Sequence, residues 1–571
     1  MSSPGSQIAG AVGFVQETFS ASKKFWLESQ KEATLVKYTP FVVCLASGKL
    51  ELETFRQYIA QDIHFLRSFV NAYEKADEYA DDDDAKAAIS KLRKAVLKEI
   101  RLHDSIVQDW GIDPSEEISP NPATIKYTNF LSATSDGKGE GGKDIGKIVT
   151  PFEKTKIAAY AVGAMVPCLR LFAYIGKELE LFLKHSESEH RYASWLKCYL
   201  PSTFEEAAIQ IEDLLDKLSV SLTGEELDVI RKLYRHALKL EIEFFQAQPI
   251  VQPVVVPLTR LLDSNNCLFI FSDFDLTCSA IDSSAILAEI AIIKAPKSMD
   301  ILGVDDVVDR ISSSELRDSW KALSGQYTEE YEQCIDNLLK DEQAKSFNLE
   351  ALYKRLEQLS EFEKRANSRV VQSGVLKGMN IDDIKRAGEH LNLQEGCAGF
   401  FQNIVREKGR LNLNLHVLSY CWCADLIRSS FSSVGCLSDL TIHSNELIYD
   451  GGLISTGEIV RKMESPLDKV HAFKSIIGQN SSENHLSVYI GDSAGDLLCL
   501  LEADVGILVG SSKSLRKVGK HFGISFVPLF EGLISKQREL GSDGSSVWRG
   551  QSGVLFTASG WPEIQAFILG I

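Results

Sequence analysis

The sequence lacks most marks of a secreted, fibrous or nucleic-acid-binding protein. Its 11 cysteines are odd in number and include no Cys-x-x-Cys pair, so neither a disulfide framework nor a paired-thiol zinc site is indicated. They read as reduced, buried thiols. Positive charge is in deficit: 61 Lys plus Arg stand against 79 Asp plus Glu, a formal net charge of −18. That balance excludes nucleic acid as the expected partner, although a few cations and a metal can reverse the field around a small phosphorylated ligand. No stretch is expected to reach the ~20 apolar residues of a membrane span, so no membrane partner is expected. Residues 1–20 contain no Arg and no basic-then-apolar leader pattern. The expected location is therefore cytoplasmic, with a mitochondrial location as the alternative where a transit peptide lies outside this sequence. No internal repeat is present. What remains is a folded composition, 44% hydrophobic and 25% charged, over 571 residues. That is too long for one ordinary core, so at least two domains are expected.

The two halves differ in texture. Residues 8–247 carry long helical patterns and few strand signals. A stretch with Pro249, Pro253 and Pro257 follows over residues 248–257, and proline at this density favours extended chain, so it reads as a linker. From residue 258 to 571, short apolar runs end in polar residues: Cys267–Phe271, Leu413–Leu418 and Leu486–Ile490. Strands alternating with helical patterns imply a doubly wound α/β domain. Helical, charged sequence at about 284–405 interrupts it and reads as an inserted cap. The fold class is thus multidomain, an all-α bundle followed by a Rossmann-like α/β domain with a helical cap. The run Asp81–Asp84 reads as a solvated helix start or loop. Gly137–Lys143 has P-loop spacing, but Asp144 stands where Ser or Thr should ligate magnesium and no strand precedes it, so it reads as a glycine-rich loop.

The chemistry of the second half lies at strand ends, where ligands bind open α/β sheets. Phe271-Ser272-Asp273-Phe274-Asp275-Leu276-Thr277 places two carboxylates close together. A divalent cation relieves their repulsion and leaves one oxygen free to attack phosphorus. Ser419 follows the second run and can hydrogen-bond a phosphoryl oxygen. Lys469 begins a helical pattern (Val470, Phe473, Ile476, Ile477) and can neutralise charge on a transferring group; Arg461 and Lys462 nearby could take its place. Gly491-Asp492-Ser493-Ala494-Gly495-Asp496 adds carboxylates suited to Mg²⁺. Each piece alone is commonplace, but their order is not. Over residues 258–571 the constellation resembles the haloacid dehalogenase-like (HAD) phosphatases. The resemblance implies that Asp273 is the nucleophile and Asp275 the acid and base. It also implies that Ser419 and Lys469 hold the phosphoryl group, and that Asp273, the Asp275 carbonyl and Asp492 hold Mg²⁺ with support from Asp496. His443–Gly457 looks like a hairpin found in small-molecule phosphatases of that family.

In the first half the signal is polar residues on apolar faces. Asp62 falls on the stripe of Phe55, Ile59, Leu66, Phe69, Val70 and Tyr73, and Glu241 on that of Tyr234, Ala237 and Phe245, within a helix begun by the capping box Thr223-Gly224-Glu225-Glu226. A buried carboxylate is costly unless paired or bound. Pairing with Arg or Lys is one explanation and a ligand site the other. A third helix runs from Pro151 to about Lys184; Pro167 is expected to kink it, and Cys168 shares a face with Met165 and Phe172. Gly48-Lys49-Leu50, Phe55, Tyr58, Gln61-Asp62, Pro167-Cys168, Trp195, Tyr199 and Glu241–Phe245, in this order, resemble TenA, the thiaminase II-like helical fold. By that resemblance Asp62 grips an aminopyrimidine ring, Cys168 attacks it, Glu241 handles protons, and Tyr127 and Tyr199 line the pocket. Phe65 stands where many members have tyrosine. A homo-oligomer held through this half is also implied.

The order of the two resemblances is similar to that of a plant family joining a TenA-like domain to a thiamin monophosphate phosphatase. The fusion implies small-molecule substrates carrying an aminopyrimidine ring and a phosphomonoester, thiamin monophosphate having both. The alternative is a phosphatase of other small phosphomonoesters fused to a non-catalytic binding or oligomerisation module.

Overall fold

The computed structural model describes residues 20–109, 118–137, 151–184, 190–197, 201–262, 266–296, 312–340, 343–344, 346–479, 485–540, 548 and 552–570. For 104–109, 151, 152, 181, 184 and 201–203 it describes the backbone alone. Tyr199 and most of the glycine-rich loop lie outside these residues. The chain divides into two compact units, Met1–Lys37 with Leu50–Val251 and Tyr38–Lys49 with Gln252–Ile571.

The first unit is helical throughout its described residues. Its central helix, Pro151–Lys184, packs against Leu52–Tyr79, Pro122–Ser135, Pro201–Ser219 and Gly224–Gln246. Burial on several sides explains its composition, and here the expectation of no span-length apolar run needs correction. Glu153–Glu180 is long and apolar enough to cross a membrane by length and composition, with 72% of its most apolar window buried inside the protein. A helix enclosed by others has no reason to keep a polar face. It continues through Pro167 without a break in helical structure. The helix Gly224–Gln246 starts at the capping box of Thr223 and Glu226, and Asn121 caps Pro122–Ser135 by accepting from the Thr124 N–H. Asp83 and Asp84 open the helix Asp83–Asp109, while Asp82 pairs with Lys217. Leu131–Ser135 belongs to a helix, consistent with the rejection of a P-loop.

The second unit is built on a parallel sheet. Its strands are β1 (Cys267–Ser272), β3 (Asn412–Leu418), β4 (Leu440–His443), β7 (His485–Gly491), β8 (Val505–Val509), β9 (Ser525–Pro528) and β10 (Val554–Ala558), ordered β4-β3-β1-β7-β8-β10-β9. Every residue of β1 is buried, as flanking strands and covering helices require. A smaller antiparallel sheet joins β2 (Lys377–Asn380), β6 (Ile454–Val460) and β5 (Glu446–Asp450), so the expected hairpin has a third strand. Of the helices inserted between β1 and β3, Ser313–Leu338 and Leu349–Ser373 pack on each other and line the strand-end cavity. Ile381–Glu389 and Cys397–Arg406 pack instead on Ala424–Ser433 and Trp561–Ile568.

Residues Tyr38–Lys49 belong to this second unit despite preceding most of the first. The helix Pro40–Ser47 has every residue from Phe41 to Ser47 buried and packs on Leu529–Glu539. Tyr38 donates a buried 2.6 Å hydrogen bond to Glu563, whose other oxygen accepts from the Ser559 N–H and hydroxyl. A cut at the proline-rich stretch would remove this helix from the unit it packs in. Tyr38→Phe removes a buried hydrogen bond to a carboxylate, at a cost of about 1–3 kcal/mol. Calorimetry of the full chain should show the second unit's transition lowered, and an unchanged transition would contradict this placement.

Candidate active sites

In the helical unit, four helices bring the expected residues together. Asp62 and Glu241 are 3% and 1% exposed, which answers whether their positions point inward. The Tyr127 hydroxyl donates to Glu241 Oε1 at 2.8 Å, and Cys168 hydrogen-bonds the same carboxyl. A cavity of about 650 Å³ is lined by Asp62, Phe65, Phe69, Glu99, Cys168 and Phe172, among others. Phe65 contacts Tyr127 with ring centroids 4.6 Å apart. Burial pushes Glu241 up to about 7 against the opposing hydrogen bonds of Tyr127 and Cys168. Burial and then the charges of Glu99 and Glu241 hold Asp62 well above the usual carboxylate range. The Cys168 thiol is raised by burial first, then by Glu241 and Asp62, so it needs a proton acceptor to become a nucleophile, and Glu241 is in contact with it.

The sequence reading missed Glu99 and His103. His103 Nδ1 lies 3.5 Å from Asp62 Oδ2, burial holds the imidazole down to about 4, and Asp62, Glu99 and His103 form one group of potential ligand atoms. The signal existed. Ile89, Leu92 and Val96 are buried on the helix Asp83–Asp109, and Glu99 and His103 continue that stripe at three- and four-residue steps.

In the α/β unit the constellation sits at the ends of β1, β3 and β7. The Asp273 N–H donates to the Ile490 carbonyl at 2.9 Å, so the sheet ladder itself fixes the first aspartate. The chain then turns sharply: Cys278 and Ser279 N–H both bond the Phe274 carbonyl, and Leu276 takes φ 61°, a left-handed conformation rare for a branched side chain. Lys469, at the start of the helix Pro466–Gln479 and fully buried, donates to Asp273 Oδ1 at 2.7 Å and Asp496 Oδ1 at 2.8 Å. Its ammonium also lies 4.1 Å from the centroid of the Tyr420 ring. Asp496 accepts further bonds from Tyr489, the Ser493 N–H and the Ser493 hydroxyl, so its lone pairs are largely committed to holding the loop. Asp492 accepts from Thr277 at 2.9 Å. Asp275 accepts from the Ser283 N–H at 2.7 Å and hydroxyl at 3.0 Å. Ser419 is buried at the end of β3, with its N–H on His443 and its hydroxyl accepting from Cys421. Arg461 and Lys462 pair with Glu464 and Glu446 instead of with the aspartates.

The electrostatics are unbalanced. Asp273, Asp492 and Asp496 place oxygens within 4.8 Å of one another, with Lys469 as the cation among them. Burial and then the Asp496 charge push Asp273 up to about 7 despite Lys469. Burial, Asp273 and Asp496 push Asp492 up to about 8, and burial followed by Asp282 and Asp273 pushes Asp275 up to about 8. An all-oxygen, carboxylate-rich donor set short of positive charge fits a hard divalent cation. Beside it lies a cavity of about 350 Å³. Its far wall includes residues the sequence reading did not single out, Trp320, Tyr327, Glu363 and Asn367, together with Trp422.

Known proteins are similar to this chain along both halves. The TENA/THI-4/PQQC family model matches residues 30–139. The bifunctional TH2 protein, mitochondrial, of Arabidopsis thaliana is 55% identical over 96% of this chain and 89% of that protein. An aminopyrimidine aminohydrolase of Staphylococcus aureus is 24% identical over 36% of this chain and 83% of that protein. A phosphoserine phosphatase with a phospho-aspartyl intermediate analogue aligns at 17% identity over 44% of this chain and 90% of that one, with a TM-score of 0.28. With more than half of its residues shared along nearly the whole of both chains, this chain belongs to the bifunctional TH2 protein family, and its residues 30–139 match the TENA/THI-4/PQQC family.

Proposed function

We propose that the α/β site hydrolyses thiamin monophosphate to thiamin and phosphate, and that the helical site hydrolyses an aminomethyl- or formylaminomethyl-pyrimidine from degraded thiamin to the hydroxymethylpyrimidine. The observation that carries the first activity is Lys469 clamped between Asp273 and Asp496 at the end of β1. The name of the Arabidopsis relative supports a dual role, and that of the staphylococcal relative supports an aminopyrimidine as the second substrate. The Arabidopsis protein's name also places it in mitochondria, in line with the organellar alternative rather than the cytoplasmic expectation.

The geometry supports a two-step reaction. Lys469 holds Asp273 in position by one oxygen, leaving the other to attack phosphorus as the ester P–O bond breaks. Asp275, two residues on and anchored by Ser283, gives its proton to the departing alkoxide. It then takes a proton from the water that opens the aspartyl-phosphate, releasing phosphate and restoring Asp273. Ser419 and Lys469 hold the phosphoryl oxygens. Asp273, Asp492 and the Asp275 carbonyl are the residues that would hold Mg²⁺, and the chemistry such an ion supplies when bound is neutralisation of phosphoryl charge. In the helical site Asp62 orients the ring, and Glu241 takes the Cys168 proton as the thiolate adds to a ring carbon. The amine or formamide on the exocyclic methylene leaves with that proton, water adds to the methylene and gives a proton to Glu241, and the thiolate departs as the ring is restored and takes that proton back.

Three outcomes test this. Across a panel of phosphomonoesters with Mg²⁺, thiamin monophosphate should have the highest kcat/KM, above thiamin diphosphate and nucleotides; a higher value for a sugar phosphate or flavin mononucleotide would remove the substrate assignment. Asp273→Asn, isosteric and foldable, should lower phosphate release by at least about a thousandfold, and chelation should abolish it. Full turnover in either case would sink the site.

Glu241→Gln should lose pyrimidine hydrolysis yet gain stability in a pH-dependent way. The folded carboxyl is raised to about 7 from an ordinary 4.5, so the folded state retains a proton that the unfolded state loses between those values. Wild-type stability therefore falls as pH rises through this window. The variant should melt close to wild type at pH 5 and above it at pH 8, by up to about 2–3 kcal/mol. A constant difference across pH would contradict the buried, proton-holding environment assigned to Glu241.

A further inference from the structure

The wall of the phosphatase cavity opposite the aspartates has a chemistry of its own. Among the described residues that line it, Arg369 is the basic one, and its guanidinium is bound to Glu330 on the neighbouring cap helix at 2.8 Å. The remaining wall is aromatic and acidic. Trp320 and Trp422 meet edge to face with ring centroids 6.3 Å apart, and Trp422 is fixed by donating its indole N–H to Asn367. Tyr327 stacks on Tyr331 and lies against Phe362.

Of the carboxylates on this wall, Asp282 caps the helix Ser283–Lys294 and Glu464 faces Arg461. Glu363 differs. Its hydrogen-bond partner is the Tyr327 hydroxyl at 2.9 Å, and no Lys or Arg among the described residues lies within ion-pair distance of it. Its position is built in. On the helix Leu349–Ser373 the steps from Leu352 through Leu356 and Leu359 to Glu363, Ala366 and Val370 alternate four and three, so Glu363 occupies the stripe that faces the site, and its neighbours on that stripe are buried.

We propose that Glu363, with the rings of Trp320, Tyr327 and Trp422, is the specificity-determining subsite for the leaving group, selecting phosphomonoesters whose alcohol carries a flat organic cation. The inference rests on the phosphatase reading and adds what that reading leaves open, namely which part of the chain recognises the part of the substrate that is not phosphate. Burial raises the Glu363 carboxyl to about 7 against the Tyr327 hydrogen bond and the more distant Lys469 charge, so an arriving planar cation meets aromatic faces and a carboxyl that it would hold in the charged form. The same wall repels leaving groups bearing additional phosphates, and among its described residues no cation is free to receive them. A cavity of about 350 Å³ suits a small ligand.

The test uses the full-length protein with Mg²⁺ and two esters, thiamin monophosphate, whose leaving group is cationic, and 4-nitrophenyl phosphate, whose leaving group carries no cation. In Glu363→Gln the ratio of kcat/KM for the first ester to that for the second should fall by about tenfold or more, the effect of ~1.4 kcal/mol in binding. The loss should appear mainly in KM for thiamin monophosphate. Thiamin itself should become a weaker inhibitor of nitrophenyl phosphate hydrolysis by a similar factor. Trp320→Leu, on the facing cap helix, should shift the ratio in the same direction and serves if the first variant fails to fold. An unchanged ratio in folded variants overturns the subsite. Wild-type protein that hydrolyses nitrophenyl phosphate without preference for thiamin monophosphate overturns cation selection while the phosphatase reading stands. Wild-type protein that hydrolyses neither ester overturns both.

Discussion

A single buried ammonium organises the α/β unit. Lys469 is fully enclosed, and an unpaired charge there would be untenable, so Asp273 and Asp496 must both be present to receive it. Those carboxylates arrive from separate strands, one at the end of β1 and one in the loop after β7, while the lysine comes from the helix after β6. The clamp thereby ties together elements far apart in sequence. It also limits the chemistry. Asp496 is saturated by Lys469, Tyr489 and Ser493, whereas Asp273 keeps one oxygen uncommitted to Lys469. With Asp492 close by, the carboxyl groups outnumber the one buried ammonium, a donor set that fits a hard divalent cation.

The helical unit meets the same problem differently. Asp62, Glu99 and Glu241 are brought close without a buried lysine, and burial raises Asp62 and Glu241 toward the protonated form. Tyr127 and Cys168 then bond Glu241 as neutral donors. Burial raises carboxyls in both sites; what differs is the partner, since a carboxyl bonded to neutral donors suits proton handling on an uncharged ring and one clamped by a lysine suits nucleophilic attack on phosphorus. Both put polar groups where packing alone would place apolar ones.

That shared feature explains what was legible in sequence. Asp62 and Glu241 stood out because they break an apolar stripe, and the strand-end aspartates because they follow short apolar runs. Glu99, His103 and Glu363 break stripes in the same way, but on helices rich in charge overall, where the stripe is harder to see against Lys and Glu neighbours. The outer strands β8, β9 and β10 were passed over because each is only four or five residues long and their apolar runs merge with adjoining helical patterns. Placing Tyr38–Lys49 in the second unit rests on packing of Pro40–Ser47 against Leu529–Glu539 and on the Tyr38–Glu563 bond between residues 525 positions apart, contacts that no local pattern encodes.

The central claim is that Asp273, held by Lys469, becomes covalently phosphorylated during turnover. Full-length protein with Mg²⁺ should be mixed with thiamin monophosphate, quenched in acid during turnover and digested for peptide mass spectrometry. The expected result is one phosphoryl group on the peptide bearing Asp273, absent from Asp273→Asn protein. A phosphoryl group on a different residue, or turnover of thiamin monophosphate with none trapped on any peptide under conditions that preserve acyl phosphates, would contradict it.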